Sequence, residues 1–196
     1  MSITLNGSSG ITTPAIPSGG PIAGTTGTFS GALQASGVAT NIYPLVSGTA
    51  QATTSGTSFD FTGIPSWVKR ITVMFAAVST SGTSPVQIQL GDSGGIETTG
   101  YASGAFGYNS GTAAGSTSGL LVDEGYGGAA QSRNGAYTLS LLAVNSWVGS
   151  GVLITNNVTP SAGTKSLSAT LDRIRITTVN GTDTFDAGVV NIMYEG

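Results

Sequence analysis

The stretch Pro85-Val86-Gln87-Ile88-Gln89-Leu90 alternates apolar and polar residues with a period of two. Successive side chains of a β-strand point to opposite faces, so the three aliphatic residues share one face and the glutamines the other. Such alternation is typical of an antiparallel sheet with one buried and one polar face. The stretch therefore predicts a half-buried antiparallel strand.

Further strand-like segments flank this stretch and are separated by turn residues. They cover residues 42–46, 58–62, 67–78, 120–122, 137–144, 147–155, 165–179 and 188–194. Turns are expected at residues 63–66, 134–135, 145–146, 160–163 and 180–181, where Gly, Pro, Asn and Ser concentrate. Helical periodicity with caps is absent from every window longer than about ten residues. About eight strands at this spacing predict an all-β fold, an antiparallel β-sandwich or jelly roll over residues 42–196.

Residues 1–41 have a different composition, without charged side chains and rich in Gly, Ser, Thr and Pro. Pro14, Pro17 and Pro21 interrupt any continuous helix or sheet. The apolar residues between them are too few to build a core, which predicts an extended N-terminal arm that becomes ordered on docking. An unstructured leader is the alternative. The candidate anchoring residues are Ile3, Leu5, Ile11, Ile16 and Ile22.

The composition also predicts association. Charged residues make up 8% of the chain, about a third of the usual share. The hydrophobic fraction of 39% argues against disorder. A monomer would have few charges to keep it soluble, so we expect surface to be buried against copies of the chain or inside a larger particle.

The segment Gly91-Asp92-Ser93-Gly94-Gly95 matches the sequence around the nucleophile of trypsin-like proteases and the looser Gly-x-Ser-x-Gly elbow. In both families a histidine takes the proton from the serine, and this chain has no histidine. No spacing supports Lys69 or Lys165 as a substitute base. The segment therefore predicts a tight glycine turn, and we expect no enzyme activity and no cofactor.

Charged residues give no sign of a metal or nucleic-acid site. Six of the nine carboxylates occur as the pairs 92/97, 123/124 and 183/186, none with the spacing of a calcium loop. Calcium binding and glycoside hydrolysis stay as minor alternatives, and solubility or local hydrogen bonding is the expected role. Six scattered basic residues and a pI of about 4.5 predict no nucleic-acid partner. The arginines are expected to pair with Asp172, Asp183 or Asp186, or across a subunit boundary.

Membrane insertion is not expected either. Residues 1–7 lack the basic and apolar segments of a signal peptide. No stretch reaches the roughly 20 apolar residues that a spanning helix needs.

Residues 98–133 are the candidate binding region. They combine aromatic side chains with many glycines and serines, the residue types that adaptable binding loops favour. The alternative is that these aromatic residues pack within the fold or against a neighbouring subunit. The candidate receptor-binding residues are Tyr101, Phe106, Tyr108, Asn109, Tyr126 and Arg133.

Four stretches resemble proteins of bacterial viruses. Residues 5–14 (LNGSSGITTP) resemble the opening of many phage tail-fibre proteins. Residues 61–72 (FTGIPSWVKRIT), 91–101 and 172–188 (DRIRITTVNGTDTFDAG) resemble a C-terminal domain that recurs in phage and prophage tail fibres. The resemblance implies a virion protein, assembled in the host cytoplasm as a homotrimer, with the N-terminus on the particle and the C-terminal domain outward. It implies no catalytic residue, and the chain lacks the long shaft of a typical tail fibre.

Three functions follow from these observations. The first is a short trimeric fibre or spike whose arm binds tail, baseplate, collar or capsid proteins and whose distal loops touch host glycan or protein. The second is a capsid or tail decoration (cement) protein without a receptor. The third, a polysaccharide depolymerase, has little support from length or carboxylate spacing.

Overall fold

The computed structural model describes residues 33–35, 38–40, 43–125, 129 and 131–196, the first two segments as backbone only. Contacts divide the chain into two units, Met1–Ile42 and Tyr43–Gly196. In the first unit, β1 (Leu33–Ala35) and β2 (Val38–Thr40) pair antiparallel. The sequence predicts an extended arm here, so the described part of that arm is paired rather than single extended chain. The candidate anchoring residues, 3 to 22, lie outside the described residues.

The described part of the second unit is built from strands. In chain order these are β3 (Val46–Ser47), β4 (Gln51–Ala52), β5 (Ser58–Thr62), β6 (Arg70–Thr80), β7 (Val86–Asp92), β8 (Gly95–Ile96), β9 (Tyr101–Gly107), β10 (Thr112–Ser116), β11 (Leu120–Leu121), β12 (Arg133–Ala143), β13 (Ser146–Ile154), β14 (Val158–Ser166), β15 (Arg173–Thr178) and β16 (Phe185–Glu195).

These strands form two antiparallel sheets. The larger has nine strands in the order β10-β9-β14-β13-β12-β6-β16-β3, with β4 also paired to β16. The smaller has five in the order β11-β7-β15-β5, with β8 paired to β7. The sheets pack together over a shared apolar core, which confirms the predicted antiparallel β-sandwich.

Alternate residues of facing strands supply the core. Strand β6 of the larger sheet contributes Ile71 and Val73 to the core. Strands β7 and β15 of the smaller sheet contribute Ile88 and Ile174, and none of the four side chains has exposed surface. Burying one such side chain stabilises a fold by about 1.5–3 kcal/mol, so the sandwich rests on this layer. The alternation along residues 85–90 predicts that Val86, Ile88 and Leu90 share a buried face, and all three are fully buried in this core.

The other face of β7 is not the solvated surface that its alternation predicts. All seven residues of β7 are buried, including Gln87 and Gln89. The hydroxyls of Ser116 and Ser118 each donate to Oε1 of Gln87 at 3.1 Å, and Nε2 of Gln89 donates to the Ser118 carbonyl at 2.9 Å. The segment 116–118 covers this face, so protein groups satisfy the glutamines in place of water.

Two predicted turns lie inside strands. Asn134 and Gly135 belong to β12, where the register with β6 shifts and Gly135 has a φ of +139°. The extra residue of this bulge is on β6, where Ala77 has a φ of +54° and donates its N–H to Oδ1 of Asn134 at 2.8 Å, so the Asn-Gly pair lies opposite a bulge and does not form a turn. Residues 160–163 belong to β14, and Pro160 precedes the residues that pair with β9, where a missing N–H is tolerated.

Two other predicted turns are confirmed. Gly181 has a φ of +68°, and the Asn180 side chain accepts from the Thr182 N–H at 3.0 Å. The glycine turn after β7 contains Gly95 with a φ of +129°, and Oδ1 of Asp92 accepts from the Gly94 N–H at 2.7 Å. In both turns a side chain closes the backbone and a glycine takes the positive φ.

Candidate functional site

Five neighbouring strands of the larger sheet, β10, β9, β14, β13 and β12, present an outer face without charge. The register places small or apolar uncharged residues on this side of every one of these strands. We call the following residues the outer face: Ala102, Gly104, Phe106, Ala113, Gly115, Asn134, Ala136, Thr138, Ser140, Val148, Ser150, Val152, Ile154, Val158, Pro160, Ala162, Thr164 and Ser166.

The smaller sheet differs. Its outward side carries the ion pair of Arg175 with Asp60, in which Nε and Nη2 donate to the two carboxylate oxygens at 2.7 and 2.8 Å. Arg173 pairs in the same way with Asp172, as the sequence predicts, whereas Asp60 was not among the expected partners. Asp183 and Asp186 instead accept from backbone and neutral side-chain groups, including the Ser84 N–H and the Ser79 hydroxyl. The charge of the sandwich is thus segregated away from the outer face.

The turn between β9 and β10, residues 108–111, forms a projecting tip loop. Tyr108 is 75% exposed and Asn109 is also exposed. The Tyr108 N–H donates to the Val158 carbonyl at 3.0 Å, and the Asn109 N–H donates to Oδ1 of Asn157 at 2.9 Å. The backbone of the loop is therefore fixed to the adjacent β13–β14 turn, while the side chains of Tyr108 and Asn109 stay exposed.

The buried side chain of Glu124 stabilises the tip loop. Its buried carboxylate accepts from Nδ2 of Asn157 at 3.0 Å, from Oγ1 of Thr159 at 2.8 Å and from Oγ of Ser110 at 3.5 Å. Charge-assisted hydrogen bonds of this kind are stronger than neutral ones. The carboxylate therefore fixes the geometry of the tip and does not act as a solubilising surface group.

Arg133 lies in the interior. Its Nε donates to Oδ2 of Asp123 in an ion pair that is 2% exposed on both sides, and Nη1 donates to the Gln131 carbonyl at 3.2 Å. Burial raises the pKa of the Asp123 carboxyl, while Arg133 and the Val86 N–H oppose that rise. A side chain committed in this way does not reach a receptor, so the structure makes Arg133 a residue of the fold.

Tyr101 is an interior residue as well, with 4% of its surface exposed. Its hydroxyl accepts from the Leu90 N–H at 2.7 Å and donates to the Glu97 carbonyl at 2.9 Å. Nζ of Lys165 lies 5.1 Å from the centre of its ring and pairs with the Glu97 carboxylate. Burial raises the pKa of the Tyr101 hydroxyl. Tyr101 thus fastens the 91–100 segment to the sandwich.

The structure brings together three of the six candidate receptor-binding residues. Phe106, on the outer face and 44% exposed, lies in the same hairpin as Tyr108 and Asn109. Tyr101 and Arg133 are buried elsewhere, and Tyr126 lies outside the described residues. Sequence alone did not separate the buried aromatic residue from the exposed ones because both occur in glycine-rich segments.

A small cavity of about 210 Å³ opens at the end of the sandwich opposite the tip loop. Lys69, Asn145 and Trp147 are among the residues that line it. None of these residues is among the site residues predicted from the sequence, and no local pattern marks them, because three loops distant in sequence build the cavity.

Within the part of the chain that the structure describes, no three or more acidic residues gather as a metal site would require. The same residues include no helix long and apolar enough to cross a bilayer. No family model, no curated protein and no solved structure matches the chain. Its function therefore has to be inferred from the residues and their arrangement.

Proposed function

We propose that the chain is a structural protein of a bacteriophage particle, a short fibre or spike that assembles from copies of itself. The outer face is the observation that carries this proposal. A solvated antiparallel sheet normally alternates apolar and polar residues, with charge among the polar ones. Five adjacent strands whose outward residues are all uncharged are better suited to contact with another protein surface.

The size of the outer face fits a subunit interface. With about 4.8 Å between strands and about 3.3 Å per residue, five strands of this length cover roughly 700 Å². A standard protein interface buries about 800 Å² on each partner. A second copy of the chain is the partner that such a face favours, because every copy carries the same uncharged face and contact between copies buries no unpaired charge.

The edge of the larger sheet supports the same conclusion. Strand β10 is the edge strand, and its sequence, Thr-Ala-Ala-Gly-Ser, contains no charge and no proline. Soluble monomers usually protect such an edge with lysine, proline or a bulge. An unprotected edge beside the outer face favours strand-to-strand contact between subunits.

The tip loop is the best candidate for contact with a host surface. Tyr108 and Asn109 project from a backbone that Asn157 and Val158 hold in place. A rigidly mounted tyrosine offers contact area at small entropic cost, and an asparagine adapts its hydrogen bonds. The trimeric state, the placement in the virion and the anchoring role of residues 1–41 rest on the resemblance to tail fibres.

Sedimentation of the purified chain tests self-assembly. We expect an oligomer, a trimer according to the resemblance to tail fibres, and we expect Ala162→Glu to dissociate it because the new charge lies at the centre of the outer face. Thr62→Glu, at a strand position of the smaller sheet that is also exposed, is the matched control and should leave the oligomer intact. A wild-type monomer at micromolar concentration would contradict the proposal.

Adhesion is tested separately. We expect the purified protein to bind host cells or to inhibit infection, and Tyr108→Ala to abolish this without lowering the melting temperature. Electron microscopy with antibody labelling should place the protein on the particle. Loss of particle stability without any cell binding would instead identify a cement protein, and absence of the protein from virions would contradict both functions.

A further inference from the structure

The end of the outer face nearest the tip loop carries exposed aliphatic side chains. Val152 and Ile154 project from β13, and each is more than half exposed. Ile154 pairs with Val158 of β14, which is exposed as well. Contiguous exposed apolar surface on a soluble protein commonly marks a contact with another protein. We call Val152 and Ile154 the aliphatic knob.

A shallow hollow of about 450 Å³ lies on the same end of the outer face, over β10, β9 and β14. The small residues of β9 and β10 form its floor, and larger side chains stand at its sides. No charged residue lines it. We call it the tip-end hollow, and its outward residues are Gly104, Phe106, Ala113, Pro160 and Ala162.

The knob and the tip-end hollow lie at the same level of the sheet. Val152 pairs with Pro160. The register between β14 and β9 places Pro160 level with Phe106, and Phe106 pairs with Ala113. A rotation about an axis parallel to the strands therefore brings the knob of one copy opposite the hollow of the next. Each copy supplies both halves of such a contact.

The other end of the outer face is less suited to receive the knob. A wider hollow of about 500 Å³ there is lined by hydroxyl side chains, among them Thr138, Ser140 and Thr164. An antiparallel neighbour would place its knob in this wider hollow and cover the hydroxyls with aliphatic surface. Burial of a hydroxyl without a hydrogen bond costs free energy, so the wider hollow is better suited to the hydrated rim of an interface.

We propose that adjacent copies of the chain lie parallel, with the aliphatic knob of one copy seated in the tip-end hollow of the other. This inference rests on the proposed self-assembly and adds its geometry. Parallel copies place their tip loops at the same end of the assembly. Tyr108 and Asn109 of adjacent copies then form one composite surface, which binds a repeated ligand at several points at once.

Cross-linking tests the contact, because the chain has no cysteine of its own. A short bis-maleimide joins two cysteines only when they lie close together. We expect a mixture of Val152→Cys and Ala113→Cys chains to give covalent dimers on a denaturing gel, and each variant alone to give few. A mixture of Val152→Cys and Ser140→Cys is the control for the antiparallel arrangement and should also give few.

Filling the tip-end hollow tests it independently. A Cβ on Gly104 would meet nothing closer than the Ala114 carbonyl oxygen at 3.5 Å, so a larger side chain fits the fold and occupies the hollow. We expect Gly104→Leu to raise the dissociation constant of the oligomer about tenfold or more, and an added Val152→Ala to recover part of this loss. Thr62→Leu, the matched addition on the smaller sheet, should leave association unchanged.

Three results would overturn the inference: an oligomer in which the Val152 and Ala113 variants do not cross-link, equal cross-linking of the Val152 and Ser140 variants, or unchanged association of Gly104→Leu. Sedimentation of the same samples separates the two proposals. An intact oligomer without the expected cross-link removes the parallel contact and leaves self-assembly standing. A wild-type monomer removes both and makes another protein the occupant of the hollow.

Discussion

The carboxylate of Glu124 occupies the space that a Cβ on Gly107 would need. Glu124 therefore packs directly against the end of β9, where the chain enters the tip loop, while its oxygens accept from Asn157 and Thr159. One buried carboxylate thus joins the β9–β10 hairpin to the β13–β14 turn. The exposed side chains of the tip depend on this contact.

We expect Gly107→Ala to destabilise the fold by about 1–3 kcal/mol, the usual cost of overpacking a filled interior. Chemical denaturation measures the change. Gly104→Ala on the same strand is the control, because its Cβ would meet nothing closer than the Ala114 carbonyl at 3.5 Å. Equal stability of Gly107→Ala and wild type would show that Glu124 moves aside freely.

We expect Arg133→Met to cost about 3–5 kcal/mol, because it leaves the Asp123 carboxylate buried without its cation. Adding Asp123→Asn should recover part of this loss, since the amide removes the unpaired charge and keeps an acceptor for the Val86 N–H. Denaturation of the two variants provides the comparison. A double variant less stable than Arg133→Met would argue against an unpaired charge as the cause.

The third prediction concerns Ser168, whose hydroxyl contacts Asp92 and Glu97, each at 2.8 Å. Hydrogen bonds from Ser168 and the Gly94 N–H lower the pKa of Asp92. Burial opposes ionisation of Glu97, but hydrogen bonds from Lys165 and Ser168 outweigh it and lower the pKa of Glu97. An acid whose pKa is lower when folded adds stability above its unfolded pKa, and that stability is lost as pH falls through the folded value.

We therefore expect Ser168→Ala to melt at a lower temperature than wild type at pH 7, and the gap to shrink below about pH 4. The raised pKa of Asp123 gives a pH dependence of stability with the opposite sign. Because this contribution is the same in wild type and Ser168→Ala, it cancels in the difference between their melting temperatures. Ser93→Ala is the control. Ser93 is exposed in the glycine turn that follows Asp92, and it makes no hydrogen bond to either carboxylate. A constant gap from pH 7 to pH 3 would contradict the prediction.

The fourth prediction concerns the β12–β13 turn, where Val144 has a φ of +31° and is 88% exposed. A β-branched residue in this conformation stores about 1–3 kcal/mol of strain. Glycine removes this strain, but the unfolded chain then loses more conformational entropy on folding. The strain is the larger effect, so we expect Val144→Gly to stabilise the fold by about 1 kcal/mol. Thermal unfolding checks this, and Val152→Gly, in the regular part of β13, should act in the opposite direction.

Much of the sandwich could be predicted from local pattern. The segment 58–62 was predicted as a strand and is β5, and the strands predicted at 147–155 and 188–194 match β13 and β16 to within a few residues. Alternation succeeds in these segments because a strand with one buried face needs apolar residues at every second position. It fails for β9 and β10, whose outward residues, apart from Phe106, are as small and uncharged as those of a loop.

The sequence by itself determined the fold class, the scarcity of charge and the lack of a histidine base for Ser93, because periodicity and composition are properties of the chain. Only the tertiary structure decided where those few charges lie and which aromatic residues remain exposed. Tyr101 and Tyr108 are seven positions apart in similar surroundings, yet one is buried against Leu90 and the other stands on the tip. Strand pairing between distant segments separates them, and the same pairing gathers eighteen uncharged residues onto one face.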